Sequence, residues 1–130
     1  MFTIAQIKEV HSKVKSGADF PAYIQDLILL GVERYETYVT DGHTVYQGSN
    51  GFSVPSDAKY SALEVANQSD KTQFQKDLKA HQQGQTDYPT FCGSCATAGI
   101  EKWVVDMPAM TCVYYDKAGN EILAETIPGA

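Results

Sequence analysis

Apolar side chains recur at helical spacing from the first residues of the chain. Ile4, Ile7, Val10, His11 and Val14 share one face, Thr3 with Gln6 supplies a capping-box signature ahead of them, and Ser16-Gly17 ends the run. A second amphipathic stretch follows. Asp19 is its cap, Pro21 sits in its first turn where a missing N–H costs nothing, Phe20, Tyr23, Ile24, Leu27 and Leu30 lie along one side, and Gly31 stops it. The period then falls to two. Residues 32–40 are rich in Tyr, Val and Thr, Asp41-Gly42 is a hairpin signal, and residues 43–47 return as a partner strand. Alternation puts Tyr35, Thr37 and Val39 on one face and Arg34, Glu36 and Tyr38 on the other, and the charges mark the second face as the wet one.

Residues 52–68 are the least legible. Leu63 and Val65 alternate as in a strand, which predicts one over residues 60–66, while residues 58–66 also suit a short helix. Ser69 and Asp70 start a polar helix whose large apolar residues are Phe74 and Leu78, so it presents a narrow inward stripe before Gly84 ends it. Asp87 is another cap. Strands are predicted at residues 100–107, 110–115 and 121–127, separated by a break at Pro108 and a turn at residues 116–120.

The second half repeats the first. Residues 19–35 and 87–103 align without gaps: four of the seventeen pairs are identical and five more match in chemistry (Phe/Tyr, Tyr/Phe, Val/Ile, Arg/Lys, Tyr/Trp). The identities include Asp, Pro and Gly, which start and stop helices, so the repeated object is a supersecondary unit. The pattern predicts one α+β domain over residues 1–130. It is a tandem duplication, with units at about 1–68 and 69–130, of a helix-helix-strand-strand unit, and an antiparallel sheet is covered by helices.

Length and charge narrow the function. A chain of 130 residues can bury a core without disulfides or metals. Its net charge of −6 opposes phosphate-backbone binding, so no nucleic-acid partner is expected. No signal core or membrane-length apolar run is present, which predicts a cytoplasmic protein with no membrane partner and free thiols. A homodimer is compatible with the sequence.

Cys92-Gly93-Ser94-Cys95 has the spacing of a redox pair or half a zinc site, for which His81 would be a further ligand. Its context points elsewhere. Asp87 is the cap, so Cys92 lies more than a turn inside the helix, and the repeat maps Ile24 onto Cys92 and Leu27 onto Cys95, which makes both thiols small core residues. Cys112 follows Thr111 as Val45 follows Thr44, and reads as another core substitute. His11 and His43 read as partly exposed or hydrogen-bonded side chains. No nucleophile–base pair, phosphate loop or paired carboxylates stand out, and no cofactor is implied.

Where the copies diverge, a ligand contact is the expected cause. His81-Gln82-Gln83 replaces a plain helix end, Trp103 replaces Tyr35, and the segment from Met107 to Met110 replaces the Asp41-Gly42-His43 turn with an apolar, adaptable one. The candidate binding residues are therefore His81, Gln82, Trp103, Met107 and Met110. The predicted function is a non-catalytic binding or regulatory module for a protein partner or a small ligand. A thiol-redox or zinc protein using Cys92, Cys95 and His81 is the alternative.

Three stretches carry a resemblance: residues 7–21, with His11-Ser12-Lys13-Val14-Lys15-Ser16-Gly17 at their centre; residues 79–92, with His81-Gln82-Gln83-Gly84-Gln85-Thr86-Asp87; and residues 98–107 around Trp103. In these the chain resembles the YbcV and YdfO-like family of small enteric prophage proteins, a domain of unknown function sometimes labelled phage envelope protein. The resemblance implies a single-domain α+β fold and a prophage setting. It implies no substrate, cofactor or catalytic residue.

Overall fold

The computed structural model describes residues 2–14 and 19–127. Helix α1 (Ile4–His11) starts on the capping box expected of Thr3 and Gln6: the Gln6 N–H donates to Thr3 Oγ1 at 3.2 Å and the Thr3 N–H to Gln6 Oε1 at 2.9 Å. It stops earlier than its apolar stripe suggests. Ser12 Oγ donates to the Glu9 carbonyl at 2.6 Å, and the Lys13 and Val14 N–H groups reach back three residues rather than four, so a tight turn ends the helix and leaves Val14 beyond it. The expected stop at Ser16-Gly17 lies outside the described residues.

Helix α2 (Phe20–Leu30) carries Pro21 in its first turn and ends on Gly31 in the left-handed conformation. Hairpin β1 (Arg34–Tyr38) and β2 (Thr44–Gln47) follows, then a 3₁₀ turn (Ser49–Gly51) and the short β3 (Ser53–Pro55). Helix α3 (Lys71–Gln82) is capped by Asp70, which accepts from the Gln73 N–H at 3.0 Å, and α4 (Tyr88–Thr97) by Asp87, which accepts from Thr90 at 2.8 Å. Strands β4 (Lys102–Asp106), β5 (Thr111–Tyr115) and β6 (Glu121–Thr126) complete an antiparallel sheet in the order β3-β2-β1-β4-β5-β6.

The segment after β3 overturns one expectation. Residues 60–66 form neither a strand nor a helix. Val65 is buried and Leu63 half-buried because the chain crosses the end of the first hairpin and the top of α4, held by bonds from Lys59 to Asp41, Leu63 to Thr40, Ala66 to Ala96 and Asp70 to Ala98. Their alternation reports burial alone. The strands of the first hairpin are already taken, β1 on both sides and β2 by β3, and residues 60–66 pair with none of the described strands.

Helices cover one face of the sheet. Tyr35, Thr37, Val39, Thr44, Tyr46, Trp103, Val105, Cys112 and Tyr114 point into that face and are all buried. Cys112 shares it with Thr44, whereas Val45 lies on the opposite face, so the comparison of Cys112 with Val45 is corrected by one position. On the outer face Lys102 lies over the rings of Tyr38 (5.8 Å) and Tyr115 (5.6 Å) and reaches Glu36 at 3.4 Å. Packing is local to each half, α1 on α2 and α3 on α4, with Ile24, Leu27, Phe74, Cys92 and Cys95 fully buried. Among the described residues no helix is long and apolar enough to cross a membrane.

Gly99 ends α4 at φ +79°, and a Cβ there would stand 2.5 Å from the Gln68 carbonyl oxygen, where the crossing segment docks. Gly119 has φ +85° with nothing within 4 Å. Gly99→Ala should therefore destabilise by about 3 kcal/mol or more, against about 1–2 kcal/mol for Gly119→Ala, which meets only the left-handed penalty. Urea midpoints compare the two, and equal losses would contradict the docking of residues 66–70 on α4.

Candidate ligand cavity

The two helix pairs straddle the middle of the sheet without closing over it, and a cavity of about 800 Å³ lies between them. That volume falls within the roughly 300–1,000 Å³ of small-molecule sites. Its floor is the inner face of β1, β2, β4 and β5, and exposed lining residues from α1 and the α3–α4 junction, among them Lys8, His11 and Asp87, show where it meets solvent.

Aromatic rings dominate the lining. Trp103, 7% exposed, stands among Phe91, Tyr114 and Tyr88, with ring centroids 5.8, 6.1 and 6.4 Å away. His11 packs edge-on against Tyr23 at 5.3 Å and Tyr88 at 6.4 Å, so it bridges the two helix pairs. Burial pushes the phenols of Tyr23, Tyr35, Tyr46, Tyr88 and Tyr114 up, so they stay protonated. Burial also lowers both cavity imidazoles, with the Lys59 charge adding to the effect on His11.

Polar groups on the floor are largely paired with one another. Thr37 Oγ1 and Thr44 Oγ1 share a hydrogen bond of 2.9 Å, Ser56 Oγ accepts from the Thr44 N–H at 2.9 Å, and the hydroxyls of Tyr23 and Tyr46 meet at 3.5 Å. Tyr114 sits within hydrogen-bonding reach of the Cys112 thiol, whose pKa burial pushes up to about 12.

Of the residues singled out from sequence, His81, Gln82 and Trp103 line this cavity. His81 stacks on Phe91 at 4.3 Å with Nδ1 3.1 Å from the Thr86 carbonyl oxygen, and Gln82 Nε2 donates to Glu125 Oε1 at 2.9 Å, tying the end of α3 to β6. Met107 and Met110 do not line it. Met107 is buried and Met110 half-buried against the core, Met110 with φ +52°. Sequence reasoning set Tyr35 and Thr37 on one strand face without marking them or Tyr46 as cavity residues. The available signal was chemical: several hydroxyl-bearing side chains on one inward face, where a close-packed core would carry aliphatic ones.

Cys92 and Cys95 are fully buried on the core side of α4, and burial raises both thiols. Among the described residues no group of three or more His, Cys, Asp or Glu side chains could hold a metal ion, so the structure does not assemble Cys92, Cys95 and His81 into one. His43 lies at the hairpin turn beside Asp41, its ring stacked on Tyr38 at 4.6 Å.

Most of this arrangement lies within a stretch that a family model recognises. Residues 8–126 match the family described as protein of unknown function (DUF1398), and the chain belongs to it. No curated protein matches the chain.

Two outcomes follow for the site. Cys95→Ser should lose about 1–2 kcal/mol more stability than Cys95→Ala, because serine buries a hydroxyl in a pocket that fits a thiol, and native-state labelling of Cys92 and Cys95 should be slow until the protein unfolds. Fast labelling would contradict their burial. His81 gives a pH dependence. Its folded pKa lies below the ordinary 6.5, so above that pH both states are neutral there; as pH falls below it the unfolded chain takes up the proton first, and stability declines toward the folded value. Urea midpoints of His81→Phe should fall less steeply below pH 6.5 than those of the native chain, and parallel curves would show that His81 carries no such penalty.

Proposed function

We propose that this DUF1398 member is a cytoplasmic, non-catalytic module that binds a small molecule between its helix pairs and its sheet. The observation that carries the reading is a cavity of about 800 Å³ in the middle of the fold, lined largely by aromatic, aliphatic and hydroxyl groups, with the charged side chains of Lys8, Lys59, Asp87 and Glu125 also in the lining. A folded domain normally fills such a volume with side chains. The residues around it favour binding over chemistry: the phenols are held protonated, both imidazoles are shifted toward the neutral form, and the Cys112 thiol is pushed up to about 12, so none of these groups is an activated nucleophile.

The same reading takes the two halves as copies of one unit, with the ligand at their junction. Strand registers support it. Arg34 pairs with Gln47 as Lys102 pairs with Tyr115, and the offsets agree (102 − 34 = 115 − 47 = 68). Gly42 and Met110 share that offset (110 − 42 = 68) and both have positive φ, +76° and +52°. The central β1–β4 ladder maps onto itself under the shift, since Arg34 faces Asp106 and Tyr38 faces Lys102. Tyr35 and Trp103 are then counterparts at the centre of the floor.

Cys112→Phe tests the reading. In a packed core that enlargement costs about 1–3 kcal/mol or more, whereas a ring projecting into the cavity should cost less than about 1 kcal/mol and block it. Native mass spectrometry of the protein equilibrated with a small-molecule extract of bacterial cells should show an adduct that the folded variant lacks. No adduct on the native chain, or an adduct equally abundant on Cys112→Phe, would refute a ligand in this cavity.

A further inference from the structure

Buried polar side chains on the cavity floor fall into two groups. Thr37 is bonded to Thr44, Ser56 to the Thr44 backbone and Tyr23 to Tyr46, while Tyr114 stands two residues from the Cys112 thiol on the same strand face. Tyr35 and Trp103 differ. Both are more than nine-tenths buried, at 4% and 7% exposure, and both line the cavity, yet neither the Tyr35 hydroxyl nor the Trp103 indole N–H has a hydrogen-bond partner among the described residues. Neither polar atom is fully enclosed either, since among the described residues no fully enclosed side-chain nitrogen or oxygen lacks a partner.

Their placement is specific. Thr37 faces Trp103 and Tyr35 faces Val105 across the β1–β4 ladder, so Tyr35 and Trp103 are diagonal neighbours on one face. An indole N–H only donates, and a phenol held protonated donates readily. Two donors thus stand on one stretch of the floor, and a carbonyl oxygen has two lone pairs with which to accept them.

Charge limits the choice further. Lys8 and Lys59, the cationic lysines of the lining, are exposed, and the imidazoles of His11 and His81 are driven toward their neutral forms. An anion at the floor would leave water without a buried counter-charge. Shape adds the last restriction, because Trp103 is framed by Phe91, Tyr88 and Tyr114 at tilted and edge-on angles, a setting that packs against flat rings.

We propose that the cavity takes an uncharged, flat aromatic molecule bearing a carbonyl group, its oxygen held by the Trp103 indole N–H and the Tyr35 hydroxyl and its rings packed against Phe91, Tyr88 and Tyr114. This rests on the small-ligand reading above and narrows it to a chemical class.

Three probes of similar size separate the alternatives: methyl naphthyl ketone, ethylnaphthalene, which lacks the acceptor, and naphthoate, which adds a charge. Titration calorimetry at neutral pH should show the ketone binding saturably, with the hydrocarbon and the anion each about tenfold weaker or more. Tyr35→Phe should weaken the ketone about fivefold to tenfold while leaving the hydrocarbon unchanged, a difference that a packing role for Tyr35 would not produce. Hydrocarbon binding as tight as the ketone, naphthoate binding tightest, or equal loss of ketone and hydrocarbon in Tyr35→Phe would overturn the proposal. So would failure of all three probes. If they fail while cell extract still yields an adduct that Cys112→Phe abolishes, the ligand class is wrong and the small-ligand reading survives; if the adduct is also missing, both fall.

Discussion

Strands β1 and β4 run antiparallel at the centre of the sheet, and the rest of the structure depends on that ladder. Its five paired positions are extended at the two ends by bonds from Val39 N–H to the Glu101 carbonyl and from Met107 N–H to the Glu33 carbonyl. Each strand brings its own hairpin and its own helix pair, and the ladder joins them into one core together with the segment of residues 59–70 and the His11–Tyr88 contact. A sheet assembled this way has its middle at the boundary between two helix pairs rather than beneath either. The residues that would fill the gap belong to neither pair, and an inward face of Tyr, Thr and Trp is left lining a space.

Polar side chains at such a boundary are costly unless satisfied. Hydroxyls pair across strands, as Thr37 does with Thr44, or across layers, as Tyr46 does with Tyr23, and these bonds fix the floor without filling it. The fully packed regions lie to either side, where α2 buries Ile24 and Leu27, and α3 and α4 bury Phe74, Cys92 and Cys95. Close packing is thus concentrated at the flanks of the domain, and the cavity lies at its seam.

Much of the fold was legible because its punctuation is local. Asp70 and Asp87, the Thr3–Gln6 box, Pro21 and Gly31 act within a few residues of themselves, and the strands between Arg34 and Thr126 carry their alternation openly. Residues 60–66 misled for a physical reason: Leu63 and Val65 are spaced as in a strand, but whether a strand forms depends on a free edge elsewhere in the fold. Helix α1 fell short of its stripe because a single Ser12 hydroxyl took a helical carbonyl. Of the cavity, the sequence marked Trp103, His81 and Gln82 through differences between the two stretches expected to be copies, while Met107 and Met110, marked by the same argument, pack against the core instead. A difference between two aligned positions has packing as its reason as readily as a ligand. Tyr35 and Thr37 stayed hidden because inward-facing strand positions look alike in sequence whether or not anything is packed against them.

The central claim is that the middle of this domain is a ligand-accessible space with uncommitted donors at its floor, and Trp103, the single tryptophan, allows it to be observed directly. Its indole N–H gives one cross-peak in a proton–nitrogen correlation spectrum. Titrating methyl naphthyl ketone into the native protein should move that peak progressively to a saturating position while the outer-face resonances of Tyr38 and Tyr115 stay where they are. An indole peak that does not move, with the shifts appearing on the outer face instead, would contradict the account.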